Sequence, residues 1–189
     1  MIRIVAVGGA ASTDQVDAVR TLMTEYAALP HTTGRWLTMH ADLAALPHPF
    51  VPPHGALLLA VAGEEPLGCG GILTLEPGVG EIKRMYVRPA ARGQGVGAAL
   101  LRALLSQAAA MTLGRVRLDT APELLEAQAL YRRFGFLPIP PYRAGLLPDA
   151  LCFERQVAAP PNGPEPPSHA DAERVAARDR AAEGWPSRK

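Results

Sequence analysis

The apolar positions of the first 157 residues fall into short runs separated by polar turns and by longer stretches of helical period. Four runs have the length of strands, at residues 2–7, 56–62, 67–75 and 79–87. Pro77-Gly78 marks a tight turn between the last two runs. These segments predict an N-terminal strand followed, after a helix and a connector, by an antiparallel meander.

The hydrophobic period changes to 3.6 residues in three segments, at 13–29, 94–111 and 122–134. Gly135 is placed to end the last of these helices in the left-handed conformation. Further strands are predicted at 115–118, 136–139 and 150–157. Together these elements predict an α/β fold, with a mixed, mostly antiparallel sheet, one strand-helix-strand crossover and helices on both faces.

Residues 30–55 follow no period and contain five prolines. They are predicted to form a long connector. The same segment holds four of the five histidines, His31, His40, His48 and His54. Their spacing does not place two imidazoles on one helical face, and no cluster of carboxylates joins them, so we predict no metal site.

Composition narrows the class of protein and its partners. A net charge of +1 gives no global reason to bind nucleic acid, and no apolar run reaches the length of a membrane helix. The two cysteines cannot form a disulfide framework. We therefore expect a soluble cytoplasmic protein without nucleic-acid or membrane partners. A homodimer is a possible assembly.

A change of composition at residue 158 divides the chain. Residues 158–189 contain six prolines, one valine and no Leu, Ile, Phe or Met. Such a segment cannot offset its ordering entropy by burial, so it is predicted to be a disordered tail. The folded domain is predicted to span residues 1–157.

Glycines at alternate positions mark a candidate phosphate site in the segment Arg92-Gly-Gln-Gly-Val-Gly-Ala98, between a predicted strand and helix. The glycines allow close approach to backbone N–H groups, and the N-terminus of the helix adds unpaired N–H groups and partial positive charge. No acidic residue lies between Glu81 and Asp119, whereas seven basic residues do: Lys83, Arg84, Arg88, Arg92, Arg102, Arg115 and Arg117. This pattern favours a small polyanionic cofactor.

Two classes of phosphate cofactor remain open at this point. No Gly-Lys-Ser/Thr follows the glycines, which excludes a Walker A nucleotide site. Gly93, Gly95 and Ala98 do satisfy a dinucleotide fingerprint, with Asp119 about twenty residues later. A nicotinamide-dependent oxidoreductase is therefore one interpretation, although a meander precedes the loop where a βαβ unit is expected.

Two longer motifs resemble the GNAT family of N-acetyltransferases. Residues 81–101 read E-I-K-R-M-Y-V-R-P-A-A-R-G-Q-G-V-G-A-A-L-L, and residues 129–136 read A-L-Y-R-R-F-G-F. They are similar to the family's Q/R-x-x-G-x-G/A pyrophosphate loop and its L-Y-x-x-x-G-F signature. The resemblance covers roughly residues 2–157. Leu124 departs from it, because many members have a cofactor-contacting Asn there.

The resemblance implies acetyl-CoA as co-substrate, and direct transfer of its acetyl group to a primary amine of a small molecule or peptide. The pyrophosphate would lie on Arg92, Gly93, Gln94, Gly95, Val96, Gly97 and Ala98. The pantetheine arm would pair with the backbone of Met85, Tyr86 and Val87. Alternatives are the oxidoreductase, a non-catalytic acyl-CoA sensor, and a partner-binding module recruited through the tail.

The resemblance also suggests the catalytic groups. Glu81 is expected as the base that deprotonates the amine, and Tyr131 as the acid that protonates the leaving thiolate. Trp36 and Tyr142 are expected to form walls of the acceptor pocket. Cys69, with no nearby histidine, is expected to be a buried strand residue and not a nucleophile.

Overall fold

Seven strands and four α-helices make up the described part of the chain. The computed structural model describes residues 1–8, 13–29 and 36–157, with the backbone alone at 36–40. The strands are β1 Ile2–Val7, β2 Gly55–Ala62, β3 Glu65–Glu76, β4 Val79–Val87, β5 Arg115–Thr120, β6 Leu137–Ile139 and β7 Leu151–Gln156. The helices are α1 Thr13–Ala27, α2 Trp36–Ala45, α3 Val96–Ala110 and α4 Leu125–Arg133.

The strands form one sheet in the order β1-β2-β3-β4-β5-β7-β6. Every neighbouring pair is antiparallel except β4 and β5, which are parallel and joined through α3. This confirms the predicted mixed sheet with one crossover. Gly135 ends α4 with φ of 80°, as its position predicted.

Apolar side chains pack against both faces of the sheet. On one face α3 contributes Leu100, Leu101 and Leu104 to a cluster with buried side chains of β2 to β5 and β7 and with Phe136, which precedes β6. On the other face Leu22 and Met23 of α1 pack over β1 to β4. The helical spacing of these residues is what produced the 3.6 period in the sequence.

The prediction of a structureless connector at residues 30–55 was wrong in part. Helix α2 lies within it, at Trp36–Ala45. The helix has ten residues, and its sequence W-L-T-M-H-A-D-L-A-A is apolar on most sides. A short helix without a polar face gives no 3.6 period, so periodicity could not indicate it.

Three further expectations from the sequence concern the C-terminal tail, membrane-spanning helices and metal sites. The tail predicted at 158–189 lies outside the described residues. No helix among the described residues is long and apolar enough to cross a bilayer. Nor do any three His, Cys, Asp or Glu side chains of the described ranges group together in a way that could hold a metal ion.

Close packing across β3 yields a stability prediction at Gly71. A Cβ built there would overlap the ring of Phe50, which is fully buried. We expect Gly71→Ala to lower the free energy of unfolding by about 1–3 kcal/mol, because the buried ring has no free volume to move into. Urea denaturation measures the change.

Gly114→Ala is the matched control, since its Cβ would meet only the carbonyl of Gly78, at 3.8 Å. It should cost clearly less than Gly71→Ala. Equal losses in the two variants would show that contact with Phe50 is not the cause.

Candidate active site

A cleft of about 650 Å³ opens where β4 and β5 separate. The two strands pair over only three positions, Val79–Glu81 with Arg115–Arg117. Beyond Glu81 they diverge, and the last residues of β4, Met85, Tyr86 and Val87, line the cleft. Tyr86 and Val87 pair with Cys69 and Gly68 of β3 on their other side. Their edge toward β5 is therefore available to an extended ligand, as an added strand would use it.

A β-bulge bends β4 at the point of separation. Tyr86 pairs with Cys69 and Lys83 with Gly71, so β4 has one residue more than β3 over this interval. Arg84, in the bulge, has a left-handed φ of 57°, which is uncommon for a residue with a Cβ. Its Nε donates to Asp42 Oδ2 of α2 at 2.8 Å. This ion pair thus joins helix α2 to the bulge in β4, next to the cleft.

The glycine loop forms one end of the cleft. Gly93 and Gly95 have φ of 73° and 83°, a region that side chains with a Cβ rarely adopt. Gly95 is the N-cap of α3, so the N–H groups of the first turn have no acceptor within the helix. A Cβ placed at Gly93 or Gly95 would meet nothing within 4 Å. Open space, unpaired donors and the helix dipole fit a diphosphate.

Nine of the ten residues predicted to bind the cofactor line this cleft: Met85, Tyr86, Val87, Arg92, Gly93, Gly95, Val96, Gly97 and Ala98. Gln94 is not among the lining residues. Its amide Nε2 donates instead to the carbonyl of Ala90, at 2.8 Å, and so links the loop to the turn that precedes it.

The predicted concentration of seven positive charges around the loop was wrong. Five of the basic side chains pair with carboxylates: Lys83 with Glu81, Arg84 with Asp42, Arg88 with Glu25, Arg115 with Glu154, and Arg117 with Glu154 and Glu76. Only Arg92 of the seven lines the cleft. Counting charge along the sequence misses carboxylates that other segments bring alongside.

Tyr131 of α4 lies in the cleft and is almost fully buried. Its ring contacts Phe136 and Phe153, with centroids 5.9 Å and 6.2 Å away. Burial raises the pKa of its phenol, and the neighbouring Tyr26 and the negative charge of Asp119 raise it further. The hydroxyl is therefore protonated throughout the physiological range.

Glu81 is buried but does not line the cleft. One oxygen, Oε1, accepts hydrogen bonds from Tyr142 Oη and Arg143 Nε, both at 2.7 Å, and Oε2 lies 3.4 Å from Lys83 Nζ. Burial by itself raises the pKa of this carboxyl, but Lys83 and the two hydrogen bonds outweigh it and hold the pKa below its ordinary value. Its role as a base stays a prediction that these contacts do not favour.

Tyr142 and Trp36 are the two residues predicted to form walls of the acceptor pocket. The guanidinium groups of Arg117 and Arg143 lie 5.6 Å and 5.9 Å from the centroid of the Tyr142 ring, and the hydroxyl of Tyr142 donates to Glu81. Tyr142 therefore belongs to the Glu81 cluster and not to the cleft lining. Burial and the adjacent Glu81 raise its pKa. Trp36 is the first residue of α2, and its side chain lies outside what is described.

Cys69 is buried in β3, as expected for a structural cysteine. Burial raises the pKa of its thiol to about 12, with a further contribution from Glu25. Its Sγ donates to the carbonyl of Arg84 at 3.6 Å. A thiol of this pKa is a poor nucleophile at neutral pH.

Sequence reasoning missed one wall of the cleft. Tyr26 and Leu29, at the end of α1, lie across from β4, and the Tyr26 ring stacks on Tyr86 at 5.6 Å. Glu123 and Glu126 line it from the start of α4. Nothing in the sequence joins α1 to β4, because about sixty residues separate them and no motif marks the contact.

Comparison with known proteins decides between the alternatives for this cleft. A family model described as Acetyltransferase (GNAT) family matches residues 17–136. The chain belongs to the GNAT acetyltransferase family. The oxidoreductase interpretation of the glycine loop is therefore wrong, and the acetyl-CoA-dependent acyltransferase is correct.

Relatives and solved structures of GNAT proteins agree. An uncharacterized N-acetyltransferase of Schizosaccharomyces pombe is 33% identical over 121 residues, 62% of this chain and 73% of the relative. An IAA acetyltransferase of Azospirillum brasilense is 37% identical over 105 residues, 53% of this chain and 66% of the relative. A GNAT acetyltransferase of Staphylococcus aureus shares the fold, with a TM-score of 0.71, 18% identity and coverage of 84% and 100% of the two chains.

A Bacillus subtilis acetyltransferase solved in complex with CoA also has this fold, with a TM-score of 0.58, 15% identity and coverage of 84% and 100%. The GNAT fold binds acetyl-CoA as co-substrate. The glycine loop and the free edge of β4 provide the donors and acceptors that a diphosphate and an amide-containing arm need.

The glycine loop can be tested by charge. We expect Gly95→Glu to weaken acetyl-CoA binding at least about 100-fold, because it places a carboxylate where the loop offers N–H groups to phosphate. Isothermal titration calorimetry measures the dissociation constant. Gly78→Glu is the control: its φ of 75° imposes the same backbone strain, and it lies in the β3–β4 turn. Equal weakening in both variants would rule out the loop as the phosphate site.

The Glu81 cluster predicts a pH-dependent stability. Because the folded-state pKa of Glu81 is lowered, its stabilisation is present above the ordinary value of 4.5 and is lost as pH falls through the folded-state pKa. Glu81→Gln should therefore destabilise the protein at pH 7, and this difference should shrink as the pH falls below 4.5 and through the folded-state pKa. Urea denaturation across pH measures it, with Glu64→Gln in an exposed turn as control. A deficit independent of pH would contradict the assignment.

Proposed function

We propose that this GNAT protein transfers the acetyl group of acetyl-CoA directly to a primary amine of a small molecule or peptide, with Tyr131 as the acid. One observation carries the proposal: the Tyr131 side chain, the glycine loop and the free edge of β4 line the same cleft. Acetyl-CoA supplies the thioester. The chain supplies a site that binds the cofactor along its length and a protonated phenol beside it.

Different residues of the cleft bind the phosphates, align the extended arm of the cofactor and provide the proton donor. The N–H groups from Gly93 to Ala98 hold phosphate, and the backbone of Met85 to Val87 aligns an extended arm with the sheet. The proton at Tyr131 Oη stays in place at neutral pH because burial raises the pKa. A phenol with so high a pKa is a weak acid, so it acts chiefly by hydrogen bonding to the sulfur as negative charge develops there.

The base is the other half of the acid-base pair. An aliphatic amine has a pKa of about 10, so near neutral pH only a small fraction is unprotonated and a base accelerates the reaction. Glu81 is the residue proposed for this role from the family resemblance. Its three donors and its absence from the cleft lining support instead a role in holding the 142–143 segment against β4.

The predictions of the acceptor, the cellular location, the oligomeric state and the domain bounds come from the sequence alone. Neither relative's name carries an acceptor over to this chain. A cytoplasmic location, a homodimer, residues 1–157 as the catalytic domain, and the absence of metal, nucleic-acid and membrane partners stay predictions. Release of free CoA with one member of an amine panel would identify the class of acceptor.

The acid role predicts a specific kinetic defect. Tyr131→Phe removes one oxygen and keeps the ring in contact with Phe136 and Phe153, so the free energy of unfolding should fall by only about 0.5–1.5 kcal/mol. We expect kcat to fall by about 10² to 10⁴ with little change in acetyl-CoA affinity. Free thiol release, measured with one good acceptor, gives kcat. A variant within threefold of the unmodified enzyme at every pH would eliminate the acid role.

Glu81→Gln separates the two functions proposed for Glu81. If Glu81 is the base, raising the pH should partly restore kcat, because more of the amine is already neutral. If it positions the 142–143 segment, the defect should persist at high pH and appear also in KM for the acceptor. The Tyr131→Phe defect should not be relieved by high pH in either case.

A further inference from the structure

A second groove, of about 520 Å³, lies between α3, the end of α4 and the end of β7. One stripe of α3 lines it, at Arg102, Leu105, Ser106 and Ala109. Phe134 and Val157 add apolar surface, and Arg133 and Arg155 add positive charge. The proposed catalytic groups take no part in it.

The three arginines of this groove have no carboxylate partner among the described residues. Most other arginines of the described ranges do pair with a carboxylate, namely Arg20, Arg84, Arg88, Arg115, Arg117 and Arg143. Arg102 instead lies over the Phe134 ring, 5.8 Å from its centroid. Three positive charges on a concave surface that is otherwise largely apolar are suited to a segment that combines carboxylates with small apolar side chains.

The C-terminal tail starts at the rim of this groove. Val157 lines the groove, and its N–H donates to the carbonyl of Gly114 at 2.9 Å, just beyond the C-terminal end of α3. Residue 158 is bonded to Val157, so the tail begins beside the end of the stripe at Ala109. From there the stripe runs along α3 to Arg102, a distance of about 10 Å.

The first half of the tail, residues 158–173, has a composition that complements the groove. We call it the acidic segment. It contains no Lys or Arg and three carboxylates, at Glu165, Asp171 and Glu173. The five Lys and Arg residues of the tail all follow it, within residues 174–189. The charge that matches the arginines is therefore next to them in the chain.

The length of the acidic segment also fits the groove. An extended segment rises about 3.1 Å per residue, so the opening Ala-Ala-Pro-Pro at 158–161 spans about 12 Å, enough to follow the stripe past Leu105. Proline-rich extended segments bind in grooves that contain aromatic side chains, and Phe134 provides one here. Glu165, eight residues after Val157, is then within reach of the arginines.

We propose that the acidic segment occupies this groove of its own chain, with its carboxylates on the three arginines and its opening Ala-Ala-Pro-Pro along α3. The basic second half of the tail extends away from the groove. The contact requires neither the co-substrate nor catalysis.

Attachment of the tail is what makes such a contact stable enough to form. The tail as a whole contains too little apolar surface to fold, but the acidic segment needs only to lie extended on a surface that the domain provides. Single ion pairs at a surface are weak. Attachment at the rim, however, gives the segment an effective concentration on the order of millimolar, which populates a contact that would not form between separate molecules.

Paramagnetic broadening of backbone amide signals in the full chain tests the contact. A nitroxide on Ser168→Cys labels the acidic segment, and Cys69 and Cys152 are buried, so the label goes to the new thiol. The amide signals of the stripe and of residues 133–134 should lose about half or more of their intensity, because attachment makes the bound state the major one. About 0.5 M NaCl should restore most of this intensity by screening the ion pairs.

Charge variants of the tail separate binding from mere proximity, because a label on an attached but unbound tail also passes near the groove. The combined replacement Glu165→Gln, Asp171→Asn and Glu173→Gln should remove most of the broadening. The matched control removes three charges from the second half of the tail and should leave the broadening in place: Arg174→Gln, Arg178→Gln and Arg180→Gln.

A variant of the groove gives the same comparison from the other side. Arg102→Gln should weaken the broadening, whereas Arg3→Gln, at an exposed position in the edge strand β1, should not. Amide signals elsewhere in the sheet show that each variant is folded.

Three outcomes would overturn the proposal. The first is broadening that persists without the three carboxylates, and the second is broadening on another face of the domain. The third comes from mixing a nitroxide-labelled chain with an isotope-labelled chain that has no nitroxide. Broadening in that mixture would show that the segment occupies the groove of a second copy.

Discussion

Strands β4 and β5 share only three residue pairs, and every functional feature of the protein depends on where they separate. Beyond that point each strand has an edge whose backbone groups lack a neighbouring strand at the centre of the sheet. Unpaired backbone groups are costly when buried, so such a gap persists only where something other than a strand satisfies them. In this protein the gap is the cleft, and its exposed backbone is the binding surface.

Two sets of polar contacts lie at the gap: the Arg84–Asp42 ion pair and the cluster around Glu81. The bulge at Arg84 bends β4, and the ion pair with Asp42 fastens the bend to α2. At the last pair before the separation, Glu81 draws Tyr142 and Arg143 onto the sheet, and Arg143 also reaches Asp119 of β5, at 3.6 Å. A buried carboxylate is tolerated when donors satisfy it, and removing them would leave an uncompensated charge. The cluster therefore ties β4, β5 and the segment before β7 together.

The basic side chains of the described chain include two groups, those paired with carboxylates and those that line cavities without such a partner. Most cations between residues 83 and 117 are held by carboxylates from α1, α2, β3, β4 and β7, and they stabilise contacts between elements. Arg92 at the glycine loop lines the cleft, and Arg102, Arg133 and Arg155 line a groove between α3, the end of α4 and the end of β7. None of these four pairs with a carboxylate among the described residues. Proximity in sequence to the loop does not predict which of these roles an arginine has.

The sequence by itself determined the seven strands, the three amphipathic helices, the glycine loop and the position of Tyr131, because period, turn residues and short motifs are local properties. Only the tertiary structure decided which side chains meet. Helix α2 escaped detection for lack of a polar face. Two of the three partners of Glu81, Tyr142 and Arg143, lie about sixty residues away in the sequence, and Tyr26 of α1 comes to lie on Tyr86 of β4. Arg133 and Arg155 come close to Arg102 only because α4 and β7 pack beside α3. Such contacts depend on how the elements pack in three dimensions, and no local pattern in the chain encodes them.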